Sequence, residues 1–194
     1  MRKSLKKFLV LLLSVPLGLL QRFTSPLIRL WRLASANSRI EIGSSCVLEG
    51  KLHLLGSENI KIGEEGYFYR DIHLETQEDG QIEIEDDVVI SSGVHLVSFY
   101  KISLGKGVMI GEYSSIRDAN HNPGSQIRHS GHNGAPITIE NNAWVGRGCC
   151  ILPGVTIGAN SIIGANSVVT RSVPANSVAV GSPAKVIKTT PSND

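Results

Sequence analysis

From residue 137 onward the chain repeats itself every six residues, and few folds accommodate that period. In ITIENNAWVGRGCCILPGVTIGANSIIGANSVVT an apolar residue stands at Ile139, Val145, Ile151, Ile157, Ile163 and Val169. Two places before each of the later five is a small or β-branched residue: Ala143, Cys149, Val155, Ser161 and Ser167. Gly146, Gly158 and Gly164 directly follow three members of the apolar series. An α-helix turns every 3.6 residues and cannot keep this pattern on one face. Short strands with two-residue alternation, separated by tight turns that favour Gly and Asn, can. Three six-residue sides then close one turn of a triangular coil, with the large apolar residue filling the centre and the small one beside it. Successive coils hydrogen-bond about 4.8 Å apart, as parallel strands do.

The lattice extends upstream if one corner accepts insertions. Ile42, Leu48 and Leu54 make one coil, Ile62, Phe68 and Leu74 the next, then Ile84, Ile90 and Leu96, then Leu104, Ile110 and Ile116. Between coils the spacing of 6 becomes 8, 10, 8 and finally 23 residues, always at the same corner. The last insertion adds 17 residues within SSIRDANHNPGSQIRHSGHNGAPITI. A fault in the repeat would not keep returning to one edge, so this loop, about 118–136, reads as a feature grafted onto that edge. The expected fold is all-β, a parallel β-helix of about six coils, roughly 29 Å tall.

A chain of 194 residues with 41% apolar content suits one domain plus a short appendage. A formal charge of +2 and 5% aromatic residues argue against a nucleic-acid partner. Cys46, Cys149 and Cys150 form no even disulfide framework and fit a reducing compartment. Cys149 takes an inward small slot, whereas Cys150 faces out. Residues 1–36 differ in composition. Arg2, Lys3, Lys6 and Lys7 precede FLVLLLSVPLGLL, whose 13 apolar-rich residues fall short of the 20 or so that a membrane span needs. The following QRFTSPLIRLWRL interleaves Arg22, Arg29 and Arg32 with apolar residues, so a basic amphipathic helix could rest among anionic headgroups with Trp31 at the boundary. A secretory signal ending near Ala34–Ala36 and a helix packed on its own domain are the other readings.

The segment ITIENNAWVGRGCCILPGVTIGANSIIGANSVVT, followed by VPANSVAVGSPAKVIK, resembles the hexapeptide-repeat acyltransferases, in particular the branch of maltose, galactoside and polysaccharide O-acetyltransferases. The resemblance covers roughly residues 40–188 and is strongest from residue 102. It implies a left-handed coil, a homotrimer and acetyl-CoA held in grooves between subunits, with no metal required. On this view residues 37–188 form the acyltransferase domain and 189–194 a disordered tail.

Moving an acetyl group from a thioester to a sugar hydroxyl requires a base, positioning and a donor for the developing oxyanion. LGKGVMIGEYSSIRDANHNPG runs without a gap against the family segment that ends in the catalytic histidine, which makes His121 the expected general base. The family often has His-Pro there, whereas this chain has His121-Asn122-Pro123. His129 and His132 are expected as loop or subunit-contact residues, with His132 the reserve base. Asp118 either orients the imidazole and acceptor or simply forms the turn at the coil exit; Asn120 is grouped with it on the acceptor side. Trp144 should point outward, because Ala143 and Val145 point inward. The family has a tryptophan beside the pantetheine arm at this position. Gly146 and Ala165 fall on coil edges where backbone groups can approach the pantetheine amides, while the resemblance matches Thr170 and Arg171 to a coenzyme-contacting pair and puts Lys185 and Lys188 at the basic positions of the tail, for the coenzyme phosphates.

His53, His73 and His95 each lie five places after the middle apolar residue of successive coils and should form a ladder on one outer face, continued by Ser115. Such a ladder could bind metal, line an acceptor groove through His95, or serve a subunit contact. A γ-type carbonic anhydrase, an N-acetyltransferase acting on an amino sugar or antibiotic, and a non-catalytic scaffold are the rival functions. The anchor favours a cytoplasmic, peripheral enzyme on the inner membrane face, acting on a saccharide destined for the envelope or for export.

Overall fold

A computed structural model describes residues 26–122 and 131–189. Strands of two to six residues wind into a prism with three parallel faces. The first sheet stacks Glu41–Ile42, Ile60–Ile62, Gln81–Ile84, Lys101–Leu104, Ile137–Ile139 and Thr156–Ile157. The second stacks Val47–Leu48, Tyr67–Phe68, Val89–Ile90, Met109–Ile110, Trp144–Val145, Ile162–Ile163 and Ser177–Gly181. Leu52–Gly56, Ile72–Thr76, His95–Ser98, Ser115–Arg117, Cys150–Ile151 and Val168–Val169 form the third. This makes six full coils and the start of a seventh, in which Val173 bridges Ile157. The coil is left-handed, as the family resemblance implied.

The register places every residue of the expected apolar lattice in line. Ile42, Ile62, Ile84, Leu104, Ile139 and Ile157 superpose along the first sheet. Leu48, Phe68, Ile90, Ile110, Val145 and Ile163 do so along the second, and Leu54, Leu74, Leu96, Ile116, Ile151 and Val169 along the third. All are buried in one continuous core. Two corners have a fixed shape. The third residue after the inward-facing apolar residue takes the left-handed conformation at Asp87, Gly107, Asn142, Asn160 and Asn176 on one corner, and at Asp71, Gly93, Gly148 and Asn166 on the other. Asn and Gly accept that conformation with least strain. Asn142 donates to Asn160, and Asn160 to Asn176, so the turn residues also bond along the stack.

Backbone N–H groups point both ways along the stack: Gly43 donates forward to Ile62, Glu49 to Phe68 and His73 to Val94, while Asp87 donates back to Glu64, Gly93 to Arg70 and Asn142 to Lys106. In the first coil the carbonyls that face away from the second coil have no neighbouring coil to donate to them. A helix over residues 26–37 lies across this open end. Arg32 donates to the carbonyls of Leu48 and Glu49, and Arg39 to that of Leu54 at 3.3 Å. Arg29 pairs with Glu49, and Arg39 with Glu58. Leu33 and Ala36 pack onto the core. The helix is thus the lid of the domain, and the boundary expected after residue 36 does not separate it from the coils. Of the arginines expected to face headgroups, Arg32 is drawn to the unpaired carbonyls and Arg29, still half exposed, pairs with Glu49. Arg22 lies outside the described residues. At the other end Ala184–Thr189 folds back antiparallel on Ser177–Gly181, so Thr189, expected in the tail, closes a strand. No described helix is long and apolar enough to cross a membrane.

Phe68 is the largest fully buried side chain of the column. Phe68→Ala should lower the unfolding free energy by about 3–5 kcal/mol, read by chemical denaturation.

Candidate functional site

The long insertion departs from the stack as a two-stranded arm. Ala119–His121 pairs antiparallel with His132–Gly134, with Ala119 opposite Gly134, Asn120 opposite Asn133 and His121 opposite His132. The polar loop expected over 118–136 is therefore an ordered hairpin at its base; His129 and Pro123 lie outside the described residues. The two strands approach closely at Gly134, where a Cβ would come within 2.0 Å of the Asp118 carbonyl. The close pairing brings the imidazoles of His121 and His132 together, with ring centroids 4.7 Å apart. His132 also lies against Phe99, at 4.1 Å. His121 is exposed and His132 partly covered.

Asp118 sits where the arm leaves the prism, and its side chain points into the protein. The buried carboxylate accepts from Ser98 Oγ at 2.7 Å, from the Phe99 N–H at 2.7 Å and from the Tyr100 N–H at 3.0 Å. Of the two roles expected for it, these contacts support the turn-forming one. With both oxygens engaged and no exposed surface, Asp118 offers nothing to an acceptor; it fixes the Phe99–Tyr100 turn below the arm. Asn120 is exposed on the arm beside His121.

Below the arm is an open groove of about 460 Å³ lined by Glu78, Asp79, Gln81, Phe99, Tyr100, Lys101, His132 and Pro136. Carboxylates, an amide and an ammonium beside aromatic rings are the donor and acceptor set that a polyhydroxylated ligand requires. Sequence reasoning missed these residues, although Glu78, Asp79, Phe99 and Tyr100 occupy the shorter insertions of the same corner. His95, expected on the acceptor side, does not line the groove. It starts its strand, three residues before Ser98, and belongs to the ladder on the third face.

That ladder forms as expected. His53, His73 and His95 are aligned in register, with centroids 4.4 Å apart at both steps and rings near parallel, and Ser115 follows His95. Burial, then the neighbouring His95 and His53, hold the His73 pKa below the ordinary imidazole value, against the weaker opposing pull of Asp71 and Glu75. Cys149 is buried with its pKa raised by burial, and Cys150 is exposed. Among the described residues no cluster of His, Cys, Asp or Glu is arranged to hold a metal ion.

The residues expected to meet a coenzyme divide between two places. Trp144 points outward, 47% exposed, from the second sheet. It lines a groove of about 430 Å³ with Met109, Gly146, Arg147, Ile162 and Ala165. The Gly146 N–H is already donated to Ile163 and its carbonyl accepts from Ser114 Oγ, while an added Cβ would strike the backbone of Ala165 and Ile163 at 2.8 Å. Gly146 therefore permits close stacking of coils and has no N–H to offer a ligand. Lys188 continues the outward column of Trp144, Ile162 and Val178, and Lys185 lies opposite Val180 on the same strand. Thr170 and Arg171 are exposed elsewhere, at the corner between the third and first sheets, which is the corner that carries the arm. In a three-sided prism this corner is across from the second sheet. One copy therefore carries His121 and the Trp144 groove on opposite sides of its core.

A left-handed prism of six-residue sides with one elaborated corner is the architecture of a transferase class built from hexapeptide repeats. Residues 136–171 match the family model described as bacterial transferase hexapeptide (six repeats), and the chain belongs to this hexapeptide-repeat family. A solved maltose O-acetyltransferase from Clostridium difficile 630 is 31% identical, with a TM-score of 0.54, over 79% of this chain and 72% of that one. The galactoside O-acetyltransferase of Escherichia coli (strain K12) is 42% identical over 94 residues, 48% of this chain and 46% of the relative. A candidate lipopolysaccharide biosynthesis O-acetyl transferase of the same strain, WbbJ, is 33% identical over 122 residues, 56% of this chain and 61% of the relative. The chain thus spans about half the length of the curated relatives it matches.

Two outcomes are expected of the site's framework. Asp118→Ala leaves the buried Ser98 hydroxyl and the part-buried N–H groups of Phe99 and Tyr100 without their acceptor and should cost about 2–3 kcal/mol in denaturant unfolding. A His73 pKa depressed in the fold means that the unfolded chain binds more protons between the folded value and about 6.5. The stability it contributes is full above pH 6.5 and is lost as pH falls through that window. The melting temperature of His73→Asn should accordingly fall less than that of wild type between pH 7.5 and 5.

Proposed function

We propose that the protein is an acetyl-CoA-dependent O-acetyltransferase that modifies a saccharide hydroxyl, working as a homotrimer with its sites between subunits. The observation that carries this reading is the separation of the two half-sites. The arm with His121 and the groove with Trp144 lie across the prism from each other, so an enzyme using both must bring one copy's arm to another copy's second sheet. The identities to maltose and galactoside O-acetyltransferases support the reaction class, and the polar groove beneath the arm supports a sugar acceptor.

In the reaction, the His121 imidazole takes the proton from the acceptor hydroxyl as its oxygen attacks the thioester carbonyl. The C–O bond forms, the C–S bond breaks, and the imidazolium returns its proton to the departing thiolate. No covalent enzyme intermediate is required. An unperturbed imidazole has a pKa near 6.5, suited to this exchange at neutral pH. His132, 4.7 Å away centroid to centroid, holds the arm-side position of His121 and completes the wall of the acceptor groove. Trp144, with Met109 and Ile162, offers an apolar strip for the pantetheine arm. Lys185 and Lys188 of the copy that carries the Trp144 groove, together with Thr170 and Arg171 from the arm corner of its neighbour, supply cations and a hydroxyl for phosphates. A saccharide of the envelope or of an exported polymer is the proposed acceptor.

Labelled acetyl-CoA incubated with a panel of saccharides should give labelled ester with wild type, and His121→Ala should lower kcat/KM about 10²–10⁴-fold with acetyl-CoA affinity little changed. Trp144→Ala should instead weaken acetyl-CoA binding. Full turnover by His121→Ala would remove the proposed base, and a monomer by light scattering would remove the shared site.

A further inference from the structure

The lid helix has two faces, and among the described residues only one is packed against the rest of the protein. Arg29, Arg32, Leu33 and Ala36, at spacings of three, four and seven, face the first coil. The opposite stripe, at the same spacings, is Leu27, Leu30, Trp31 and Ala34. Leu27 is 66% exposed, Leu30 63% and Trp31 66%, and Ile28 beside them 43%. Because the arginines are held by Glu49 and by first-coil carbonyls, the outward stripe carries no charge. The helix is also the outermost layer at its end of the prism, so no other described residue covers it. Leading into it is a stretch of sequence with Arg2, Lys3, Lys6 and Lys7 ahead of the apolar run FLVLLLSVPLGLL.

We infer that this stripe is a docking surface for an anionic lipid bilayer and that the prism stands on the membrane end-on. An exposed apolar stripe with a tryptophan, preceded by a basic cluster, combines the two signals that interfacial binding needs: buried apolar area and attraction to anionic headgroups. The orientation follows from the lid lying across the coil axis, so that docking the stripe points that axis away from the bilayer. In a trimer of parallel prisms all three lids face the same plane, which multiplies the attachment.

End-on docking fixes the height of the reaction proposed above, on which this consequence rests. The arm leaves the fourth coil, three steps of about 4.8 Å above the first. With a helix about 10 Å thick beneath, it stands roughly 25 Å from the lipid. The acceptor class this geometry selects is a lipid-linked saccharide several sugars long, with its target hydroxyl held well away from its lipid phosphate.

The test uses the full chain and vesicles of phosphatidylcholine with or without phosphatidylglycerol. Wild type should sediment with the anionic vesicles. Leu27→Ser/Leu30→Ser/Trp31→Ser, at exposed positions and with an unchanged circular dichroism spectrum, should bind at least about tenfold more weakly. A second variant, Arg2, Lys3, Lys6 and Lys7 each to Gln, should lose the preference for anionic lipid. For orientation, a dye on Cys150 in the fifth coil is compared with a dye on Ser44→Cys in the first, the latter in a Cys150→Ser background. Energy transfer to headgroup-labelled lipid should be markedly stronger from position 44. Unchanged binding by the triple variant, or no binding by wild type, assigns the stripe to residues 8–20 or to a second copy and overturns the proposal. Equal transfer from both dyes overturns the end-on orientation. Transfer of acetyl to a soluble galactoside without vesicles should be the same for wild type and the triple variant; its absence in both would sink the enzymatic reading while leaving the docking result intact.

Discussion

Everything in this molecule depends on coils that satisfy each other only along one axis. Each turn exchanges backbone hydrogen bonds with the turns before and after it and fills the centre with one large apolar residue per side, from Leu48, Phe68 and Ile90 through to Ile163. Such a stack is stable in its middle and unfinished at its ends, where a row of unpaired backbone groups invites another chain to add on. The two ends are finished differently. Arg32 of the helix and Arg39 just beyond it reach the open carbonyls at one end, and a strand folds back on the second sheet at the other.

The regular middle leaves little freedom for function, so function is carried by what departs from it. Every length change falls between the third and first sheets. At that corner the short turns containing Glu78, Asp79, Phe99 and Tyr100 lie beneath the arm, and together they make one groove. The buried carboxylate of Asp118 ties the arm's root to the turn below it and so links two insertions that are far apart in sequence. The second sheet keeps strict register and presents a flat apolar strip instead. The same fold thus offers a rigid face and an adaptable corner.

Much of this architecture was legible from residue order, because a six-residue period with inward alternation has one geometric solution. The three apolar columns, the outward Trp144 and the imidazole ladder follow from counting alone. Handedness and the likeness of His121 to a family base came from resemblance, since periodicity carries no chirality. The choice between the two roles of Asp118 was also available from position: it lies two places after Ile116, as Thr76 lies after Leu74 and Ser98 after Leu96, and that parity points inward. The arm was not legible, because antiparallel pairing of two short polar strands leaves no hydrophobic alternation to read. Nor was the turn of Arg29 toward the Glu49 carboxylate and of Arg32 toward carbonyls that are open only at the end of the stack.

The single elastic corner has an evolutionary consequence. Residues can be added or lost there without shifting the phase of any coil, because each side re-enters the lattice at the same apolar position, as Ile62, Ile84, Leu104 and Ile139 do after gaps of different length. Lineages sharing this scaffold can therefore reshape what the corner recognises while the opposite wall is inherited unaltered, and selection can act on the two surfaces separately.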